Sequence, residues 1–114
     1  MYDKLLVATK VKKTIEYIEK SFDNCPTKER IVKEKIITSS YELLELVYMA
    51  NTHKEIKYMK DIIVKINMID YYIKLGLDKK IINYKKYNNL GIHLLELIKM
   101  VQSWIKYEKN KELI

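Results

Sequence analysis

The longest unbroken pattern in this sequence runs from Asn83 to about Lys109, NYKKYNNLGIHLLELIKMVQSWIKYEK. Apolar residues recur at Tyr87, Leu90, Leu94, Leu97, Val101 and Trp104, the three-four spacing of one helical face. A second row, Gly91, Leu95, Ile98 and Ile105, runs beside the first. Two rows make a face wider than one neighbouring helix covers. The helix therefore needs two or three partner helices, and it leaves room for a partner subunit. Its polar side is a thin stripe of Lys85, Asn89, Glu96, Lys99, Ser103 and Lys106.

The rest of the chain has almost no material for turns, with two glycines and one proline in 114 residues. Few, long elements follow, so the expected fold class is all-α. Helix one is predicted from Lys4 to about Phe22, with Leu5, Ala8, Val11, Ile15, Ile18 and Phe22 as its apolar stripe. Pro26 cannot continue that helix but suits the first turn of the next. Helix two is predicted from about Thr27 to Ala50, with Ile31, Ile36, Ser40, Leu43, Leu44, Val47 and Ala50 near one face and a break at Asn51 and Thr52. Helix three is predicted from about His53 to Lys79, with Ile56, Met59, Ile62, Ile63, Ile66, Ile69, Ile73 and Leu77 as its apolar rows. Gly76 costs helix stability where it stands, which points to close approach by a neighbour. Lys79 to Ile82 form a connection, and Asn83 has the chemistry of an N-cap for helix four. Connections this short make consecutive helices antiparallel neighbours, and the expectation is an up-down-up-down four-helix bundle occupying residues 1–114 as one domain.

Several classes of function find no support in the residues. There is no phosphate-binding loop, no paired-glycine dinucleotide fingerprint and no HExxH. The two histidines, His53 and His93, lack the Glu-x-x-His pattern of bundle di-iron sites, so no metal and no cofactor is expected. Cys25 is the sole cysteine, which excludes an internal disulfide and agrees with a reducing cytoplasm. No apolar run approaches the roughly 18 residues of a spanning helix, and the first residues lack a signal-peptide pattern, so no membrane partner is expected. With no acid, base, nucleophile or ligand set in evidence, the chain is not expected to be an enzyme.

What remains is charge. The net charge is +7. Residues 1–50 hold nine basic and eight acidic groups, whereas residues 51–114 hold thirteen and seven. Tyr71, Tyr72, Tyr84 and Tyr87 fall among Lys74, Lys79, Lys80, Lys85 and Lys86. Lysines can hold phosphate while aromatic rings stack bases, so these five lysines are the candidate nucleic-acid contacts. A solvated bundle end would look similar in sequence. Leu94, Leu97, Val101 and Trp104 are the candidates for the core or an oligomer contact.

Three stretches also resemble a known family. CPTKERIVKEKIITSSYELLELVYMAN, residues 25–51, is similar to the Pro-x-x-Glu-Arg opening and the Glu-Leu-Leu-Glu-Leu centre of small four-helix proteins related to the 23S rRNA intervening-sequence proteins. IDYYIKLGLDKKIIN, residues 69–83, resembles that family's third-helix ending, with Lys74, Leu75 and Gly76 as its basic, apolar and small residues. YNNLGIHLLELIKMVQSWIK, residues 87–106, resembles its fourth helix. The superfamily includes Avd, the accessory variability determinant of diversity-generating retroelements. The resemblance implies a ring-like homopentamer of four-helix protomers. For Avd it also implies a reverse transcriptase partner and binding of RNA and DNA during mutagenic cDNA synthesis. The alternative it leaves is a free-standing oligomeric scaffold of the intervening-sequence type.

Overall fold

A computed structural model describes the backbone of residues 4–112 and the side chains of residues 6–111. Within them the chain forms α1 (Lys4–Ser21), a single 3-10 turn (Thr27–Glu29), α2 (Arg30–His53), α3 (Ile56–Asp78) and α4 (Tyr84–Glu112), and the described residues contain no strand. α1 packs on α2 and α4, and α3 packs on α2 and α4. Contacts between neighbours join rising numbers on one helix to falling numbers on the next. Lys10 meets Glu96 while Lys86 meets Ser21, and Glu42 meets Lys65 while Lys35 lies over Tyr72. The arrangement is an antiparallel four-helix bundle, a rod 53 Å long and about 20 Å across.

The core follows the predicted rows. Leu90, Leu94, Leu97, Val101 and Trp104 of α4 are buried against Ile36, Leu43, Val47 and Ala50 of α2, Met59, Ile62, Ile66, Ile69 and Ile73 of α3, and Val7, Ala8, Val11, Ile15 and Ile18 of α1. Leu5, predicted on the same stripe of α1, lies outside the described side chains. Two hydroxyls that fall inside this core return to their own helix. Thr14 donates to the Lys10 carbonyl and Ser40 to that of Ile36, at 2.8 and 2.7 Å. Bonds of this kind let a β-branched or small polar residue occupy a buried helical position without an orphaned group.

Three expectations need correction. Ile31 was placed on the buried face of α2 but is 80% exposed. It stands five residues before Ile36, about 140° away around a 3.6-residue helix, and so points outward. Pro26 does not enter an α-helix. It precedes the 3-10 turn, and α2 starts only at Arg30. Finally, α2 continues through Asn51 and Thr52 to His53. The Thr52 hydroxyl bonds back to the Tyr48 carbonyl at 3.0 Å, and the helix ends where Lys54 turns into the left-handed region at φ 56°. That conformation commonly closes helices and is normally given to glycine. A lysine there carries no sequence signal of a stop.

Gly76 behaves as expected. A Cβ on it would lie 3.1 Å from Cε1 of the buried Phe22, just beyond the end of α1. The missing side chain is therefore what lets α3 and the α1 terminus come together.

Candidate nucleic-acid interface

The five candidate lysines sit around the α3–α4 turn, and backbone chemistry fixes that turn. At the end of α3 the Lys80 N–H donates to the Leu77 carbonyl at 3.0 Å and the Ile81 N–H to the Gly76 carbonyl at 2.8 Å. This is the paired bonding of a Schellman cap, with Lys80 at φ 60° in the position that favours glycine. Ile82 is buried and anchors the connection to the core. Asn83 then caps α4, its Oδ1 accepting the Lys86 N–H at 2.8 Å, as its residue type foretold.

The lysines divide into two sets. Lys79 pairs with Glu29 of the 3-10 turn at 3.8 Å, and half-buried Lys86 donates to the Ser21 carbonyl at the end of α1 at 3.4 Å. These two tie the turn to the rest of the bundle end. Lys74, Lys80 and Lys85 are exposed and make no ion pair with any described residue. Tyr84 is 65% exposed beside them, and its ring lies 6.2 Å from that of half-buried Tyr87.

Charge is organised by the ends of the rod rather than by halves of the sequence. The end built from residues 20–30 and 74–86 carries eight basic and three acidic residues. The opposite end, residues 50–60 and 104–111, carries six and two. The intervening helix bodies, residues 6–19, 31–49, 61–73 and 87–103, carry seven and eight. The waist is therefore close to neutral and both poles are positive.

Leu94, Leu97, Val101 and Trp104 are all buried within the protomer. The surface left open belongs to the second row of α4 and its surroundings. Leu95 is 51% exposed, and with Gly91, Ile98, Asn67 and Asp70 it lines a groove of about 280 Å³ between α3 and α4. Val64, Met68 and Tyr71 are exposed on α3. On the opposite side of the bundle Tyr41, Leu44 and Tyr48 lie along α2 where it faces α1, partly covered by Lys12 and by the Glu19 carboxylate that accepts from the Tyr41 hydroxyl at 3.2 Å.

This fold and these motifs meet in one comparison. The sequence model of the bAvd-like family matches residues 5–108, nearly all of the described chain. The chain belongs to the bAvd-like family. No curated protein matches its sequence. The match spans all four helices, so the family assignment rests on the whole bundle rather than on one motif. It agrees with the Avd resemblance of the three quoted stretches. No described helix of this bAvd-like chain is long and apolar enough to cross a membrane.

Two features escaped the sequence. The first is a polar cluster on the α1–α4 seam of this bAvd-like bundle. Lys10 Nζ lies 2.6 Å from Glu96 Oε2 and 3.0 Å from His93 Nδ1, and the His93 ring packs 4.9 Å from that of Tyr17. An ammonium only donates, so Nδ1 must accept and the ring proton sits on Nε2. Burial and the Lys10 charge hold the His93 pKa below 6.5, against the opposing pull of Glu96, while the bond from Lys10 and its charge lower that of Glu96. A base with a lowered folded pKa contributes stability that is complete above its unfolded pKa and falls as pH drops through that value toward the folded one. The melting temperature should therefore fall on acidification from pH 7 through about 6.5. In His93→Gln that slope should flatten; a slope that survives assigns it to other groups.

The second is Glu108, 5% exposed, with one carboxylate oxygen near Lys111 at 3.9 Å and the other without a hydrogen bond to any described residue. Its position four residues after Trp104 continues the buried row, which is the signal that would have found it.

Proposed function

We propose that this chain is a non-catalytic accessory subunit of a retroelement reverse transcriptase, assembled as a homopentameric ring that binds RNA and DNA through phosphate. Membership of the bAvd-like family is the observation that carries this reading. The two positive poles support the nucleic-acid part, since a surface that neutralises phosphates needs concentrated lysines. The exposed apolar groups support assembly. Two groups of them lie on different faces of the bundle, α1–α2 and α3–α4. Contact between unlike faces is heterologous, and such contacts close into rings when the rotation permits. A ring also repeats each weak phosphate contact around its circumference, so that modest sites add by avidity. In this scheme the subunit supplies position rather than chemistry, holding template and primer for the polymerase.

Co-expression with a reverse transcriptase encoded beside the gene, followed by pull-down and cDNA synthesis with and without this protein, tests the reading. A stable complex and a changed cDNA yield are expected. No complex and an unchanged yield would leave the scaffold of the intervening-sequence type. Light scattering after size exclusion should give about five times 13.7 kDa, and a clean monomer at micromolar concentration overturns the ring. Affinity for a single strand should fall with salt by about 0.7 log units per decade for each phosphate neutralised. Replacing Lys74, Lys80 and Lys85 together by Gln should flatten that slope. Lys79 and Lys86 are poorer first choices because each also holds the bundle end together.

A further inference from the structure

Tyrosines occur at both poles, but their rings are not equally available. At the α2–α3 turn Tyr58 is half-buried, stacked on His53 at 4.8 Å and covered by Lys57 at 5.0 Å. At the end of α4 the Tyr107 ring lies under Lys111 at 5.5 Å. Lysines likewise lie over Tyr48 and Tyr72. Tyr84 differs. It occupies the first turn of α4, meets only the tilted edge of Tyr87 at 6.2 Å among the contacts of the described residues, and remains 65% exposed.

Its surroundings are also the more basic pole. Lys85 adjoins it in the same helical turn, and Lys80 stands four residues before it, presented by the left-handed backbone of the α3 cap. The Asn83 cap fixes the first turn of α4, so the ring and Lys85 are held on a rigid element. The N-terminus of α4 adds its partial positive charge. The carboxylates in this pole are Glu29, which is engaged by Lys79, and the exposed Asp23 and Asp78.

We propose that this pole is a single-strand-selective nucleic-acid site, with a base stacked on the Tyr84 ring and the flanking phosphates held by Lys80 and Lys85. The inference rests on the nucleic-acid reading above and goes beyond it by naming the form of the ligand. In a duplex the base faces are already stacked and only phosphates reach a blunt bundle end. In a single strand every base offers a face, and an exposed ring beside lysines gains from it regardless of sequence.

Fluorescence anisotropy of the full chain with a mixed-sequence single strand, and with the same strand annealed to its complement, tests this. The wild type should prefer the single strand. Tyr84→Leu should weaken single-strand binding by roughly 5- to 150-fold, leave duplex binding and the salt slope unchanged, and retain its helical circular dichroism. Tyr84→Phe keeps the ring and should bind as the wild type does. Equal affinity for both forms, or a silent Tyr84→Leu while Lys80→Gln with Lys85→Gln weakens both, overturns this inference and leaves phosphate binding standing. Failure of the wild type to bind either form overturns both readings.

Discussion

Replacing Trp104 with alanine is expected to lower the stability of the fold by roughly 3–5 kcal/mol, the cost of truncating a large buried aromatic. Trp104 is fully buried and is the largest of the enclosed side chains. It is the last apolar member of the row begun at Leu90, and its removal leaves a cavity that the neighbouring turns of a packed bundle cannot fill. For a chain of this size the melting temperature should drop by roughly 10–20 °C. Differential scanning calorimetry measures it. An unchanged transition would mean that the indole does not lie in the core.

The two glycines should respond in opposite directions. In Gly76→Val the new Cβ meets Phe22 at about 3.1–3.3 Å, and the γ-methyl groups intrude further. Phe22 is completely buried and has nowhere to swing. Overpacking of this kind costs about 1–3 kcal/mol. At Gly91 a Cβ meets nothing within 4 Å, and Gly91→Ala should gain up to about 1 kcal/mol from helix propensity alone. Chemical denaturation of the two variants checks the contrast. A Gly76→Val variant as stable as the wild type would show that the Phe22 contact does not govern position 76. Because Gly91 lines the α3–α4 groove, its variant carries a second reading. An alanine that stabilises the fold but loosens the assembly would put that groove inside a subunit contact.

Gly76 also illustrates how much of the fold is legible in the sequence. Periodicity discloses all four helices, because each buries one face along the rows Val11–Ile18, Ile36–Ala50, Met59–Ile73 and Leu90–Trp104. Gly76 and Asn83 declared their roles because residue chemistry and position agreed: one needed a close neighbour and the other a free N–H. The end of α2 was misread because Lys54 takes a backbone conformation that its residue type does not advertise. Ile31 misleads because its hydrophobicity suggests burial while its angle around the helix points it outward.

The candidate interface was legible as a cluster and not as individual contacts. Lys79 and Lys86 look like Lys80 and Lys85 in sequence. Only the arrival of Glu29 and of the Ser21 carbonyl from elsewhere in the chain separates the tethered pair from the exposed one. The same holds for Lys10, which meets His93 83 positions away and Glu96 on the next turn. Nothing local marks such a meeting.

The positive poles and neutral waist of the rod have a consequence for any assembly in which copies stand side by side. Poles of like sign are then brought into register, and their repulsion opposes association most strongly at low ionic strength. A polyanion lying across neighbouring poles removes that opposition. In such an assembly binding and association become thermodynamically linked, and the linkage is reciprocal: the factor by which a bound polyanion strengthens association is the factor by which association raises affinity for the polyanion.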